Sequence, residues 1–172
     1  MSQPASPAVH ADFDLDRLFS YRLSVLSNRI SSAISREYHR RFGLAITEWR
    51  VMAVLGRFPG LSAGEVANRT AMDKVAVSRA VARLLERALI QREIHGDDRR
   101  RSVLALTDEG FRVYDEVAPM VIEYHQRMLE PLTEEERTML DQLIDSALGN
   151  SPDLQAAAAR LRQARAGLAE KR

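Results

Sequence analysis

Apolar residues recur at intervals of three and four over several stretches of the chain, as they do along helices that bury one face. The most extended stripe comprises Leu15, Leu18, Phe19, Leu23, Leu26, Ile30, Ala33 and Ile34. It predicts a helix from residue 15 to about residue 41. Two more long helices are predicted over residues 108–130 and 134–148, the second after a capping box formed by Thr133 and Glu136.

Shorter helices are predicted between the long ones by the residues that begin and end them. Thr47 is placed to cap a helix that runs to Phe58, where a proline and a glycine follow. Ser62 and Glu65 then form a capping box, in which the two side chains bond to each other's backbone N–H groups. A short helix to about Thr70 is predicted to follow.

The next helix is predicted from Lys74 to about Arg87, with Asp73 as its cap. Its tight junction with the preceding short helix predicts a helix-turn-helix. One side is apolar at helical spacing and comprises Val77, Val81, Leu84, Leu85 and Ala88. The other side is free to contact a partner and comprises Val75, Ser78, Arg79, Ala82, Arg83 and Glu86.

A β-hairpin is predicted after this helix. Residues 89–95 and 102–106 are rich in β-branched and aliphatic side chains, and residues 96–101 form a charged turn between them. Because a lone two-stranded hairpin has marginal stability, it must pack against the preceding helices. The predicted fold class is mainly α with a small β-hairpin: a winged helix-turn-helix module plus a helical dimerisation region.

The formal charge is nearly balanced overall, at +1, but it is unevenly distributed along the chain. Residues 69–103 hold nine Lys or Arg against five Asp or Glu, whereas residues 108–145 hold three against eleven. The cationic segment is suited to a polyanion, and the acidic segment has to lie elsewhere. The alternative is that both segments are simply solvated faces.

The composition also bears on several other classes of protein. The lack of cysteine excludes disulfides and thiolate metal sites. No apolar run approaches the roughly 18 residues of a membrane span and the start carries no secretory pattern, so a cytoplasmic location is expected. The four histidines, at positions 10, 39, 95 and 125, lack ligand spacing, and neither a phosphate loop nor a nucleophile elbow occurs. We therefore expect no metal, no cofactor and no enzymatic activity.

The exposed side of the helix over residues 74–87 is suited to the major groove of duplex DNA, and the hairpin to a flanking minor groove. Arg79 and Arg83 are candidates for guanine edges or phosphates, and Lys74 for a phosphate. At the hairpin tip, Arg99, Arg100 and Arg101 supply cations that a narrow minor groove attracts. The alternative for these arginines is a solvated position.

Ser62 is a further candidate for a phosphate contact. The open N–H groups at the start of its helix favour an anion. The alternative is that Ser62 serves only as a helix cap.

Residues 47–51, 61–67, 73–79 and 98–107, in this order and spacing, resemble the MarR family of bacterial regulators. The resemblance extends from about residue 15 to residue 148. It implies that Asp98 steadies the wing and that Arg100 enters the minor groove. It also implies a recognition helix whose DNA-contacting residues are Lys74, Val75, Ala76, Ser78, Arg79 and Arg83.

The long helices need a partner. Their apolar stripes exceed what one small module can cover, so a symmetric homodimer is expected, and the resemblance implies the same. The predicted organisation is a flexible tail (1–12), a dimerisation region (13–42 and 108–149), a winged module (44–107) and an alanine-rich extension (150–172). Such a dimer should prefer an inverted-repeat operator with half-sites about one helical turn apart.

The resemblance further implies a repressor that leaves its operator when a small aromatic acid or phenol binds between the dimer helices and the module. Arg22, Tyr38, His39, Trp49 and Arg50 are the candidates for an apolar wall with cations. The alternatives are a core position for Trp49 and ion pairs for the two arginines. A second class stays open, a winged-helix module that binds an acidic partner protein, because carboxylates also attract arginine.

Overall fold

The computed structural model describes residues 14–94 and 102–149. They fall into two compact units, one ending at Ile122 and the other beginning at Glu123. In chain order the elements are a 3-10 turn (Leu15–Arg17), α1 (Phe19–Phe42), α2 (Ile46–Arg57), α3 (Ala63–Thr70), α4 (Lys74–Glu86), β1 (Ile90–Ile94), β2 (Ser102–Leu106), α5 (Asp108–Leu129) and α6 (Glu134–Gly149). The predicted fold class, mainly α with one small hairpin, is confirmed.

The first helix begins later than its apolar stripe indicates. Leu18 has an extended backbone (φ −71°, ψ 120°), so the chain leaves the 3-10 turn before α1 begins. At the other end Gly43 adopts a left-handed conformation (φ 63°) and donates its N–H to the carbonyl of His39 at 2.7 Å. A glycine favours this conformation because it has no Cβ, and it ends α1 as a C-cap.

The prediction that Thr47 caps α2 is wrong. Thr47 lies inside the helix, which begins at Ile46, and Ala45 occupies the capping position. Alanine has no side-chain acceptor, so the capping comes from Glu48, whose Oε2 accepts the backbone N–H of Ala45 at 2.9 Å. The physical reason is that the N3 carboxylate of a capping box suffices to bind the N-cap N–H.

The capping box before α3 is confirmed. The Glu65 N–H donates to Ser62 Oγ at 3.3 Å, and the Ser62 N–H donates to Glu65 Oε2 at 2.8 Å. Between α3 and α4 the chain turns through Ala71, which has a positive φ of 51°. This tight turn joins the two helices of the predicted helix-turn-helix.

The hairpin is antiparallel, with Ile90 opposite Leu106 and Ile94 opposite Ser102. A third segment extends it, because the Leu104 N–H donates to the carbonyl of Leu61 at 2.8 Å. The hairpin therefore lies against the segment that leads into α3, as the stability argument requires. Its tip, residues 95–101, lies outside the described residues.

A single apolar core joins α2, α3, α4 and the hairpin. Its most deeply buried members, with at most 1% exposure, include Tyr38, Leu44, Val51, Met52, Leu55, Val66, Val77, Leu84 and Val117. Tyr38 comes from the last turns of α1 and Val117 from α5, so the end of α1 and the first half of α5 complete the core. This packing gives the winged module a rigid base within one chain.

The unit that begins at Glu123 contains the end of α5 and all of α6. Thr133 and Glu136 form the predicted capping box, with bonds of 3.2 and 2.8 Å between each side chain and the other residue's N–H. Every described residue of α6 is exposed except Arg137, which is half-buried. The large apolar side chains of this helix are all exposed, and none of its described residues is buried.

Candidate nucleic-acid interface

Asp73 fixes the start of α4, the predicted recognition helix. Asp73 Oδ1 accepts the backbone N–H groups of Val75 at 2.9 Å and Ala76 at 3.0 Å, so the predicted cap is confirmed. A carboxylate at a helix N-terminus satisfies open donors and interacts favourably with the helix dipole. The first turn of α4, which carries Lys74, is therefore held in place.

The inner and outer sides of α4 match the predicted division except at Ala88, which lies beyond the end of the helix, has a positive φ of 54° and is exposed. Val77, Val81 and Leu84 are at most 2% exposed and anchor the helix in the core. Of the predicted DNA-contacting residues of α4, Ala76 is half-buried and the others, Lys74, Val75, Ser78, Arg79 and Arg83, are exposed. The helix thus presents a mixed cationic and apolar surface from a buried base, the arrangement that a major groove accepts.

Arg83 belongs to a cluster that local sequence patterns do not reveal. Its Nη1 lies 3.6 Å from Oε1 of Glu48, and Nη1 of Arg87 lies 3.7 Å from Oε2 of the same residue. Glu48 is only 4% exposed, and among the described side chains it is the one charged member of the buried set. A buried carboxylate needs partners of this kind, because desolvation of an isolated charge is costly.

Arg87 also bonds to the end of α1. Its Nη2 donates to the carbonyl of Phe42 at 2.5 Å and its Nη1 to the carbonyl of Gly43 at 3.4 Å. These carbonyls lie at a helix C-terminus, where arginine is a favourable partner. One guanidinium therefore joins the end of the recognition helix, α2 and α1.

Ser62 is engaged by its own helix. Its hydroxyl donates to Oε2 of Glu65 at 2.7 Å while it accepts the Glu65 N–H. The Glu65 carboxylate thus occupies the N-terminal region of α3, where a phosphate would bind. Like Arg83, which lies beside the Glu48 carboxylate, Ser62 therefore has a competing local anion, and its phosphate contact stays a prediction.

The wing is described only along its strands. Val103, Leu104 and Leu106 are buried, so β2 holds the hairpin on the core. The predicted wing residues Asp98, Arg99, Arg100 and Arg101 lie outside the described residues. Their roles stay predictions.

The predicted ligand residues are partly brought together. The ring centroids of Tyr38 and Trp49 are 6.1 Å apart, and those of Trp49 and Tyr114 are 5.7 Å apart. Arg50 donates to Ser31 Oγ at 2.9 Å, and His39 Nδ1 lies 3.2 Å from the carbonyl of Leu44. These contacts place an aromatic cluster between the end of α1, α2 and α5.

Burial raises the pKa of Tyr38 to about 12, and the positive charge of Arg50 opposes that rise. The phenol is therefore neutral at physiological pH, and Arg50 is close enough to influence it. A neutral hydroxyl beside a guanidinium is a suitable pair for a carboxylate or a phenol.

Arg22 lies apart from this cluster. Sixteen residues of helix separate it from Tyr38, which corresponds to about 24 Å at 1.5 Å per residue. It instead lines an open cavity of about 300 Å³ at the start of α1, with Asp16, Tyr21, Val25, Leu26 and Arg29. Within one chain, Arg22 therefore does not join the other four candidates.

The sequence pattern did not identify two members of these clusters, Glu48 and Tyr114. Glu48 resembles any acid in a first helical turn, and its arginine partners follow 35 or more positions later. Tyr114 packs on α2 because Gly56 lets it approach: a Cβ there would lie 2.6 Å from its ring. Pairing an aromatic residue on one helix with a glycine on another is the signal that identifies such a contact.

Large apolar side chains remain exposed on α1 and, separately, on α6. On α1 they are Phe19, Leu23 and Leu26, preceded by Leu15 and Leu18; on α6 they are Met139, Leu140, Leu143, Ile144 and Leu148. Single exposed apolar residues are ordinary, but continuous stripes of them mark an interaction surface. Within the described ranges no helix is long and apolar enough to cross a membrane, and no three acidic or histidine side chains cluster as metal ligands.

Known proteins are similar to this chain in sequence and in fold. A family model described as the MarR family matches residues 42–101. The HTH-type transcriptional regulator BilQ of Clostridium symbiosum (strain WAL-14163) is 25% identical over 130 residues, 76% of this chain and 90% of BilQ. The homoprotocatechuate degradative operon repressor of Escherichia coli is 25% identical over 114 residues, 65% of this chain and 77% of the repressor. The crystal structure of a MarR/EmrR family transcriptional regulator from Acinetobacter sp. ADP1 matches with a TM-score of 0.74 and 30% identity, covering 82% of this chain and 99% of that one.

Proposed function

The chain belongs to the MarR family of transcriptional regulators, and we propose that it is a homodimeric repressor that binds an inverted-repeat operator and releases it when a small aromatic acid or phenol binds. The observation that carries the proposal is the outer side of α4. Lys74, Ser78 and Arg79 are exposed there on a helix that is anchored in the core by the buried side chains of Val77, Val81 and Leu84. A rigid cationic helix of this kind fits the major groove.

The dimer is supported by the apolar stripes of α1 and α6. A second copy that covers both stripes removes their apolar surface from water, and two-fold symmetry makes one solution serve both subunits. Two recognition helices then face DNA together. Half-sites about 10 base pairs apart in an inverted repeat follow from that symmetry.

Ligand control is supported by the aromatic cluster and by one relative. Tyr38, Trp49 and Arg50 combine apolar rings with a cation, which suits an aromatic acid. The Escherichia coli relative is a repressor of the homoprotocatechuate degradative operon. The cluster lies where α1 meets the module, so a ligand there can alter how α4 is held.

The test begins with selection of bound duplexes from a random pool. We expect an inverted repeat, with binding that weakens steeply as salt rises, the slope being about −0.9 per phosphate contact. Arg79→Ala and Arg100→Ala should each cost about 1–3 kcal/mol of operator binding without unfolding the protein. Arg112→Ala is the matched control, because Arg112 pairs with Glu109 on the exposed side of α5.

Two outcomes would contradict the proposal. Binding that does not respond to salt would exclude a phosphate-based interface. Duplex DNA that fails to displace a bound acidic protein would favour the alternative, a winged module that binds acidic partners. Aromatic acids added to the selected duplex complex test the ligand: release by micromolar to millimolar aromatic acid, but not by an aliphatic acid of equal charge, is expected.

A further inference from the structure

The carboxylate of Glu48 lies at a junction of four segments. It accepts the N–H of Ala45 between α1 and α2, and it lies 3.7 Å from Arg87 at the end of α4. Arg87 in turn donates to the carbonyls of Phe42 and Gly43 at the end of α1. The pair therefore joins the recognition helix directly to the helix that carries an exposed apolar stripe.

We propose that Glu48 and Arg87 are positioning residues for DNA recognition, which fix the end of α4 against the end of α1 and thereby set the spacing of the two recognition helices in the dimer. The inference rests on the proposed function, because it needs a dimer that binds two half-sites. Neither residue has to contact DNA for this role. Arg87 acts through α1, and Glu48 acts through Arg87.

The chemistry of the junction favours positioning over simple stabilisation. A guanidinium has five N–H donors in a fixed plane, so a single Arg87 side chain can bond to two carbonyls and lie beside a carboxylate at once. The carboxylate is buried, and its other oxygen, Oε1, lies 3.6 Å from Arg83 on α4, so both of its oxygens have partners. Because the contacts of Arg87 with the α1 carbonyls and with Glu48 have fixed directions, the orientation of α1 determines the orientation of α4.

A second set of hydrogen bonds fixes the chain just after the end of α4. Immediately after Arg87, the carbonyl of Ala88 accepts the hydroxyl of Thr107 at 2.7 Å, and the carbonyl of Leu89 accepts the Thr107 N–H at 3.2 Å. Gly110 packs so closely there that a Cβ would lie 1.9 Å from the oxygen of Leu89. The end of α4 is thus fixed to α1 on one side and to the start of α5 on the other.

The test compares duplexes that differ only in half-site spacing. The first carries the inverted repeat selected by the wild-type protein, the second has one base pair inserted between its half-sites, and the third is unrelated in sequence. One base pair moves the half-sites by about 3.4 Å and about 35°. The ratio of the dissociation constants for the first two duplexes measures how firmly the recognition helices are spaced.

Arg87→Lys and Glu48→Gln are the informative variants. Lysine keeps the charge that a phosphate contact needs but has a single nitrogen in place of the planar guanidinium, so it loses the fixed geometry toward the two carbonyls and the carboxylate; glutamine removes the carboxylate while Arg87 stays intact. We expect each variant to reduce the preference for the correct spacing by roughly two- to thirtyfold. Binding to the unrelated duplex and cooperative unfolding should stay as in the wild type. Arg40→Lys is the matched control, since Arg40 pairs with Glu37 on the exposed surface of α1.

The outcomes separate this inference from the proposed function. A wild-type protein that binds no inverted repeat overturns both. A wild-type protein that discriminates spacings, with both variants discriminating equally well, overturns the inference alone. Equal loss of affinity for all three duplexes, or loss of cooperative unfolding in both variants, assigns the junction to phosphate contact or to stability and also overturns it.

Discussion

The winged module and the first half of α1 use the same types of apolar residue with opposite outcomes. In α2, Val51, Met52 and Leu55 are completely buried, whereas Leu23 and Leu26 of α1 are 48% and 53% exposed. The module closes its core within one chain, but the start of α1 finds no cover there. Burial of an apolar residue in this protein depends on where it lies along the chain, and the first half of α1 keeps an exposed apolar surface that the proposed dimer would cover.

The strongest way to break this comparison is Leu23→Glu. A charge placed in the apolar stripe cannot be buried in a dimer without a large desolvation cost. We expect the dimer to dissociate and operator affinity to fall by ~100-fold or more, because the two half-sites no longer bind together. Light scattering and fluorescence anisotropy measure the two effects.

The control for that variant is Asn28→Glu. Asn28 is exposed and lies on the opposite side of α1 from Leu23. The substitution therefore adds the same negative charge to α1 but outside the apolar stripe. If both variants stayed dimeric, or both became monomeric, the stripe would lose its assigned role.

A second variant pair sharpens the comparison through stability. Leu55→Ala should lower the free energy of unfolding by about 2–5 kcal/mol, since it leaves a cavity in a closed core. Leu143 is 61% exposed on α6, and Leu143→Ala should change the unfolding of the monomer by less than about 0.5 kcal/mol while weakening the dimer. Denaturant unfolding at several protein concentrations distinguishes the two. Equal losses of unfolding free energy in the two variants at every protein concentration would contradict the division between a closed core and an exposed apolar stripe.

The sequence predicted most of this division because its signals are local. Periodicity located the helices, and the side chains of Ser62, Asp73 and Thr133 marked three helix starts that the structure confirms. Each of these signals depends on residues within one turn of each other. The same locality explains why the two sides of α4 were predicted correctly within the helix, whereas Ala88, assigned to the apolar side, lies beyond the helix end and is exposed.

What the sequence did not predict depends on contacts between distant segments. Thr47 was chosen as a cap because of its residue type, but Glu48 takes that role, and its burial follows from arginines on another helix. Arg22 was grouped with Tyr38 by chemistry alone, although helix geometry separates them. Composition indicates which residues are able to form a site, and only the packing of elements decides which of them meet.

Tyr38 marks the point at which α1 passes from exposed to buried. The stability of the protein at alkaline pH tests whether Tyr38 is buried. The unfolded chain releases the tyrosine proton near pH 10, whereas the folded chain keeps it until its pKa of about 12. Stability is therefore complete below pH 10 and is lost as the pH rises through 12. At pH 11 the wild type should lose about 1 kcal/mol relative to Tyr38→Phe.

The measurement is urea unfolding of both proteins between pH 8 and pH 11, with Tyr21→Phe, on the exposed half of α1, as the control variant. A stability difference between wild type and Tyr38→Phe that does not change with pH would show that Tyr38 is not desolvated, and would move the boundary of the buried region along α1.

The smallest expected effects compare two caps of the same design, one in each region. Ser62→Ala removes the side chain that accepts the Glu65 N–H, and Thr133→Ala removes the equivalent acceptor for Glu136. Each loss should cost about 1 kcal/mol. For Ser62 the cost should appear in the unfolding of the module at every protein concentration. For Thr133 it should appear chiefly as a weaker dimer, because α6 has no core of its own to stabilise.

If Thr133→Ala instead left the dimer unchanged and destabilised the module, α6 would be part of the module's cooperative unit, and the contrast between the two regions would not hold.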